Sequence, residues 1–195
     1  MRRFSANYIY TGVFLKNGIV ETDNNGTIIN IIDTKGDLRE SSKLEFYNGI
    51  IVPGFINTHC HIELSAFKSK IEKKITLPSF IKKVVSLKKE IPPIDYLKPI
   101  EIADTLMFKN GIVAVGDIAN TSYTITTKKK SKLYYHTFIE GIGLNDNAEK
   151  IFENIKLLFE DFRKESLPAS ICPHAPYSVS KKLFGLIKQH AEKNH

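Results

Sequence analysis

The chain has 195 residues, 42% hydrophobic and 25% charged, the balance of a soluble globular protein with room for one domain and a small second module. Its net charge of +7 rests on 28 Lys and Arg against 21 Asp and Glu, and its two cysteines exclude a disulfide framework and fit a reducing compartment. No apolar run approaches the roughly 20 residues of a membrane span, and Tyr8, Thr11, Lys16 and Asn17 interrupt any signal-peptide core, so no membrane contact and a cytoplasmic location are expected.

The basic residues are mostly lysines, clustered at Lys68–Lys74, Lys82–Lys89 and Lys128–Lys132. On helices and loops such runs read as solvated faces. They lack the Arg and aromatic interleaving of a nucleic-acid surface, so no nucleic-acid partner is expected.

Residues 1–48 predict an all-β module. YIYTGVFL, GIVETD and TIINIIDT are short β-rich runs divided by Gly, Asn and Asp turns, and KLEFYNG is a further one. From residue 50 strands alternate with helices. IIVPGFIN reads as one buried strand, followed by helices over LPSFIKKVVSLKKE and DYLKPIEIADTLMFKN. Gly111 is the C-cap of the second, and IVAVGDI is the next buried strand. A weak segment, TSYTITTKKK, leads to a strand in KLYYHTFIEGIG. DNAEKIFENIKLLFEDFRKE is the clearest helix, with Ile151, Ile155, Leu158 and Phe162 on one stripe and Asp146 or Asn147 as its N-cap. PASICPHAPYS is a fourth strand with its exit loop, and Ser180 caps a last amphipathic helix, KKLFGLIKQHAEKNH. Four strand–helix units predict a parallel sheet with helices outside, either an open sheet or part of a barrel. The first strand ends in NTHCH rather than a glycine-rich phosphate loop, which weighs against a nucleotide-binding open sheet.

His59 and His61, in VPGFINTHCHIELS, are two residues apart on a predicted strand and so point the same way. Two neutral imidazoles leaving one strand end can hold one divalent cation. Taken alone, the pair also reads as two satisfied or exposed histidines. Cys60 faces the other side. His59, His61, Asp117, Glu140 and His174 all fall at or just past the C-terminal end of a predicted strand, where barrels and open sheets place their active sites.

VPGFINTHCHIELS, NGIVAVGDI and CPHAPYSVS, in that order, resemble the amidohydrolase superfamily. More narrowly, they resemble its branch of metal-dependent aminohydrolases and deaminases, of the cytosine, guanine and aminofutalosine deaminase kind. The resemblance implies the first half of a (β/α)8 TIM-type barrel over residues 50–195, preceded by part of a small β-sandwich over residues 1–49. It implies one divalent ion, Zn or else Fe or Mn, with His59 and His61 as two of its ligands. It also implies hydrolysis of a carbon–nitrogen bond other than a peptide bond, namely deamination of a small heterocyclic amine.

His174 matches the histidine of the family's HAPY motif and is expected at the substrate. Glu63 and Glu140 are further candidates for substrate contact. Glu63 reads equally as a partner orienting a ligand histidine or as a surface carboxylate, and Glu140 equally as a salt-bridged loop carboxylate. Asp117 is expected to bind a loop, His136 to be a core histidine, Cys172 to be a small buried side chain, and His190 and His195 to face solvent.

A complete member of the family has eight strand–helix units, a third ligand histidine, an HxxE glutamate that shuttles protons, and a ligand aspartate. No HxxE occurs here: Ile62, Leu64 and Tyr177 stand three places after His59, His61 and His174. No catalytic residue is therefore assigned. The chain is expected to be a truncated or partial member, its site completed by residues beyond His195 or by another chain supplying the missing half-barrel, with a homo-oligomer as the other partner expected. The alternative is a non-catalytic remnant with an incomplete metal site.

Overall fold

The computed structural model describes residues 1–39, 43–144 and 147–194. Packing divides the chain into two compact units, Met1–Gly54 and Phe55–His195. The division falls at Pro53-Gly54, inside the run read from sequence as one strand. Pro53 lacks the amide that would continue a ladder.

The first unit is a five-stranded mixed sheet. Its strands are β1 (Arg2–Tyr10), β2 (Phe14–Lys16), β3 (Ile19–Thr22), β4 (Ile28–Ile32) and β5 (Leu44–Ile51). β1 pairs antiparallel with β2 and β3, β3 with β4, and β5 lies parallel to β1. YIYTGVFL spans the end of β1, a turn and the start of β2. Ala6, Ile9, Ile19 and Val20 are buried in this unit.

The second unit is built on four parallel strands in the order β6 (Phe55–Cys60), β7 (Ile112–Ala119), β8 (Tyr134–Gly141) and β9 (Ala169–Pro173). The helices between and after them are α1 (Leu77–Glu90), α2 (Ile94–Lys109), α3 (Ile125–Lys130), α4 (Ala148–Lys164) and α5 (Lys181–Lys193). A 3₁₀ turn, Ile62–Phe67, follows β6 and was not legible in the sequence. Thr76 caps α1 and Ser180 caps α5, each accepting a backbone N–H three residues on. Asn147 stands at the N-cap of α4 without a side-chain bond, and Asp146 lies outside the described residues. Gly111, at φ +81°, follows the last turn of α2, a conformation that favours glycine.

Alternation along the strands sorts the core. Val115, Ala119, Tyr135, Ile139 and Ile171 are buried under the helices. Phe67, Tyr96 and Ile100 pack beside β7, and Phe159, Phe162, Leu183 and Ile187 beside β9. Each large apolar side chain buried this way contributes about 1.5–3 kcal/mol. The opposite face carries His59, His61, Glu140 and His174 at or just past its strand ends, whereas Asp117 lies on the helix-covered face.

Candidate metal and substrate site

Register decides which side chains β6 presents. Asn57 pairs with Val115 and Cys60 with Asp117, so Thr58 and His59 together oppose Gly116 alone. This is a β-bulge at the first histidine, a device that re-aims side chains beside functional sites. It moves Asn57 to the helix-covered face, where its amide lies 3.8 Å from Met107 Sδ, and leaves Cys60 packed against the apolar core beside α2. Simple alternation would have put Asn57 with the histidines. The bulge also explains Gly116, because a Cβ there would stand 2.8 Å from the Thr58 carbonyl oxygen.

His59 and His61 come together as expected. Their ring centroids are 5.1 Å apart and their planes inclined at 65°. His59 is exposed and His61 half-buried. Burial pushes the His61 pKa below the ordinary histidine value and His59 adds to that effect, against the opposing pull of Glu140, Asp117 and Glu63. A neutral ring is the form that binds a metal. Cys60 is unsuited to join them: burial, aided by Asp117, pushes its thiol up to about 12. Among the described residues no group of three or more His, Cys, Asp or Glu is placed to hold a metal ion. The two imidazoles therefore suit part of a donor set, against the three protein ligands usual in a catalytic zinc site.

The remaining candidates form one polar chain across the strand ends. Glu63, in the 3₁₀ turn, is 1% exposed, which rules out the surface-carboxylate reading. Its carboxylate pairs with Lys88 Nζ at 3.2 Å and accepts from the Asn120 backbone N–H at 3.2 Å and the Thr121 hydroxyl at 2.9 Å. Lys88 also donates to Asn120 Oδ1 at 3.1 Å. Asn120 Nδ2 in turn reaches Glu140 Oε2 at 3.4 Å. Glu140, buried at the end of β8, has its other oxygen 4.0 Å from His174 Nε2. His174 Nδ1 is 2.5 Å from Ser178 Oγ, and the His174 backbone N–H donates to Gly141 O.

Lys88, Asn120 and Ser178 were missed by sequence reasoning. Asn120 ends GDIAN at a strand terminus, the same position that drew attention to Glu140. Ser178 lies inside the quoted CPHAPYSVS block. Lys88 was hidden in a lysine run.

Other histidines and cysteines divide. His136 is partnered but only half-buried, its Nε2 lying 2.8 Å from Ser170 Oγ. Cys172 is half-buried opposite Glu140, and burial pushes its pKa up to about 11. His190 is half-buried rather than solvent-facing throughout: it packs edge-on against Phe152 and Phe159, with a buried Nε2. His195 lies outside the described residues. Lys128 also departs from the solvated face expected of its run, being 5% exposed beside the 0%-exposed Asp117. Asp117 binds a loop as expected, accepting the Ile62 N–H at 2.8 Å.

Residues 50–195 match the sequence model of the amidohydrolase family. The chain belongs to that family. It is 29% identical over 140 residues to an adenosine deaminase of Helicobacter pylori (strain ATCC 700392 / 26695), a match covering 71% of this chain and 34% of that protein. Among solved structures, the aminofutalosine deaminase of Helicobacter pylori in complex with methylthio-coformycin superposes with TM-score 0.79 at 23% identity, over 99% of this chain and 48% of that one. An adenosine deaminase from Xanthomonas campestris with bound zinc superposes with TM-score 0.71 at 16% identity, over 98% and 46%. These two superpositions give the fold: this amidohydrolase chain has the architecture of about half of each larger protein. It spans a third to a half of the length of these relatives.

Proposed function

We propose that this chain supplies half of the active site of a metal-dependent aminohydrolase that removes the amine from a small nitrogen heterocycle. The observation that carries the reading is the convergence of His59 and His61 at the end of β6, on a sheet whose neighbouring strand ends bring Glu140 and His174 within 4.0 Å of each other. The deaminase names of the relatives support the same class of reaction.

In this reading His59 and His61 hold one divalent cation through neutral ring nitrogens. Zinc is the first choice, since one superposed structure holds it, with iron and manganese accepted by the same donor types. When bound, such a cation supplies Lewis-acid activation of water for attack at the ring carbon bearing the amine. His174 presents Nε2 to the heterocycle, with Nδ1 fixed by Ser178. Glu140 keeps that ring turned toward the site and accepts hydrogen bonds from the substrate. Glu63 acts mainly by positioning, because Lys88, Asn120 and Thr121 already occupy both of its oxygens. The remaining ligands and the proton-shuttling carboxylate come from further polypeptide, in the same protein or in a partner. A cytoplasmic location suits the two unpaired cysteines, Cys60 and Cys172.

The two-imidazole donor set also favours a second reading, a non-catalytic remnant that binds metal weakly. Purifying the tagged chain from its own cells, with whatever completes it, separates the two readings. Ammonia release is then measured over a panel of amino-substituted purines and pyrimidines with added Zn²⁺. The enzyme reading predicts turnover that falls by about 10³-fold in His59→Ala, the loss of several kcal/mol of Lewis-acid catalysis. Equal turnover in a His59→Ala/His61→Ala variant contradicts it, and no turnover from any preparation leaves the remnant.

A further inference from the structure

Behind the histidine pair, on the helix-covered face, lies an ion pair that the proposed reaction does not use. Lys128 Nζ, from α3, stands 2.6 Å from Asp117 Oδ2 on β7, with both side chains at most 1% exposed. The ammonium also donates to Thr137 Oγ1 at 2.9 Å and lies 5.3 Å and 5.0 Å from the ring centres of Tyr135 and Phe162. An ion pair buried this deeply is weak evidence for stability, since apolar residues of similar size often serve equally well. Burial raises the Asp117 pKa and lowers that of Lys128, each shift opposed by the partner's charge. The arrangement therefore calls for another reason.

The second oxygen supplies one. Asp117 Oδ1 accepts the backbone N–H of Ile62, the residue directly after His61, at 2.8 Å. The β6–β7 register ends at Cys60 and Asp117, just past the bulge at Thr58 and His59. The ladder thus gives out where the histidines need to be held. The bond to Ile62 is a strut from β7 to the turn beyond them.

We propose that Asp117 and Lys128 form a positioning unit that fixes the orientation of His59 and His61 through the Ile62 amide. Lys128 compensates the buried charge of Asp117, and Asp117 Oδ1 holds the turn. The proposal deepens the reading of the two histidines as metal ligands, and its primary readout needs no metal.

The test uses the full chain and two charge-balanced variants. Asp117→Asn/Lys128→Met keeps an oxygen acceptor for Ile62. Asp117→Leu/Lys128→Met removes it. Hydrogen exchange of the Ile62 amide and NMR signals of the two imidazoles are followed in each. The first variant is expected to retain both signatures. The second is expected to speed Ile62 exchange at least about 10-fold and to merge the two imidazole environments, with Zn²⁺ affinity lowered by about 10–100-fold, the usual cost of losing a ligand-orienting partner. A folded Leu/Met variant with a protected Ile62 amide and unchanged imidazole signals overturns the proposal.

Should that variant fail to fold, the unaltered protein decides. An Ile62 amide exchanging as fast as its unbonded neighbours in the turn refutes the strut, and protection equal to that of core β7 amides supports it. Zn²⁺ titration keeps the two ideas apart. Altered imidazole signals in the Leu/Met variant, with no zinc bound by the unaltered chain, count against the ligand reading and for the positioning role.

Discussion

Glu63 and Lys128 are two charged side chains whose surroundings reverse what their sequence neighbours suggest. Glu63, with 1% exposure, takes an ammonium and two hydrogen-bond donors. Removing its carboxylate strands the Asn120 N–H and the Thr121 hydroxyl, while Lys88 can turn to water. Glu63→Ala is therefore expected to lower stability by about 1–3 kcal/mol or more, and Glu63→Gln by less, because an amide oxygen still accepts. A urea midpoint that falls at constant slope checks this, and an unchanged midpoint for the alanine variant contradicts it. The His59–His61 pair was legible because spacing by two is a geometric statement about strands. Lys88 and Lys128 were not, since a lysine in a lysine run reads as solvated unless the fold brings a buried carboxylate within reach of its long stem.

At the level of elements, caps and stripes carried most of the information. Ser180 and Gly111 mark their helix ends, and the amphipathic stripe of α4 buries Phe162 as read. The bulge at Thr58 and His59 left no such trace, because it arises from pairing with β7 and not from β6 itself. Its counterpart is Gly116, whose missing Cβ makes room for the Thr58 carbonyl. Gly116→Ala places a methyl against backbone that cannot swing aside, and a loss of about 1–3 kcal/mol is expected in chemical denaturation. Stability equal to that of the unaltered protein would show that β6 yields freely there.

The α4–α5 contact carries a pH signature of its own. Burial of His190 against Phe152 and Phe159, with Lys156 nearby, holds its pKa below the ordinary value of 6.5, while Glu160 opposes the shift. Below about pH 6.5 the unfolded chain takes up a proton more readily than the folded one, so stability falls as the pH drops. Thermal unfolding between pH 7 and pH 5 is expected to show that loss, and His190→Leu is expected to reduce it. An identical pH dependence in the variant would assign the loss elsewhere, His61 being the other histidine shifted in the same direction.

For the whole molecule, strand–helix alternation and the HCH and HAPY blocks were enough to read a parallel half-barrel of the amidohydrolase kind. The break between the two units at Pro53-Gly54 needed the pairing of β5 with β1, which no local signal announces. The site follows the same division of labour. Its histidines belong to strand ends, while the polar chain from Lys88 to Ser178 exists only once four strands lie side by side.

His59 and His61 are proposed to act together as metal ligands. Calorimetric titration of Zn²⁺ into the full chain, beside His59→Ala, His61→Ala and the double variant, tests that pairing. Four-ligand zinc sites gain about 10–16 kcal/mol, so each imidazole is worth about 3 kcal/mol, or roughly 100-fold in affinity. One zinc per chain is expected, weakened about 100-fold by either single substitution and lost in the double variant. Binding of equal stoichiometry and affinity in the double variant would contradict it.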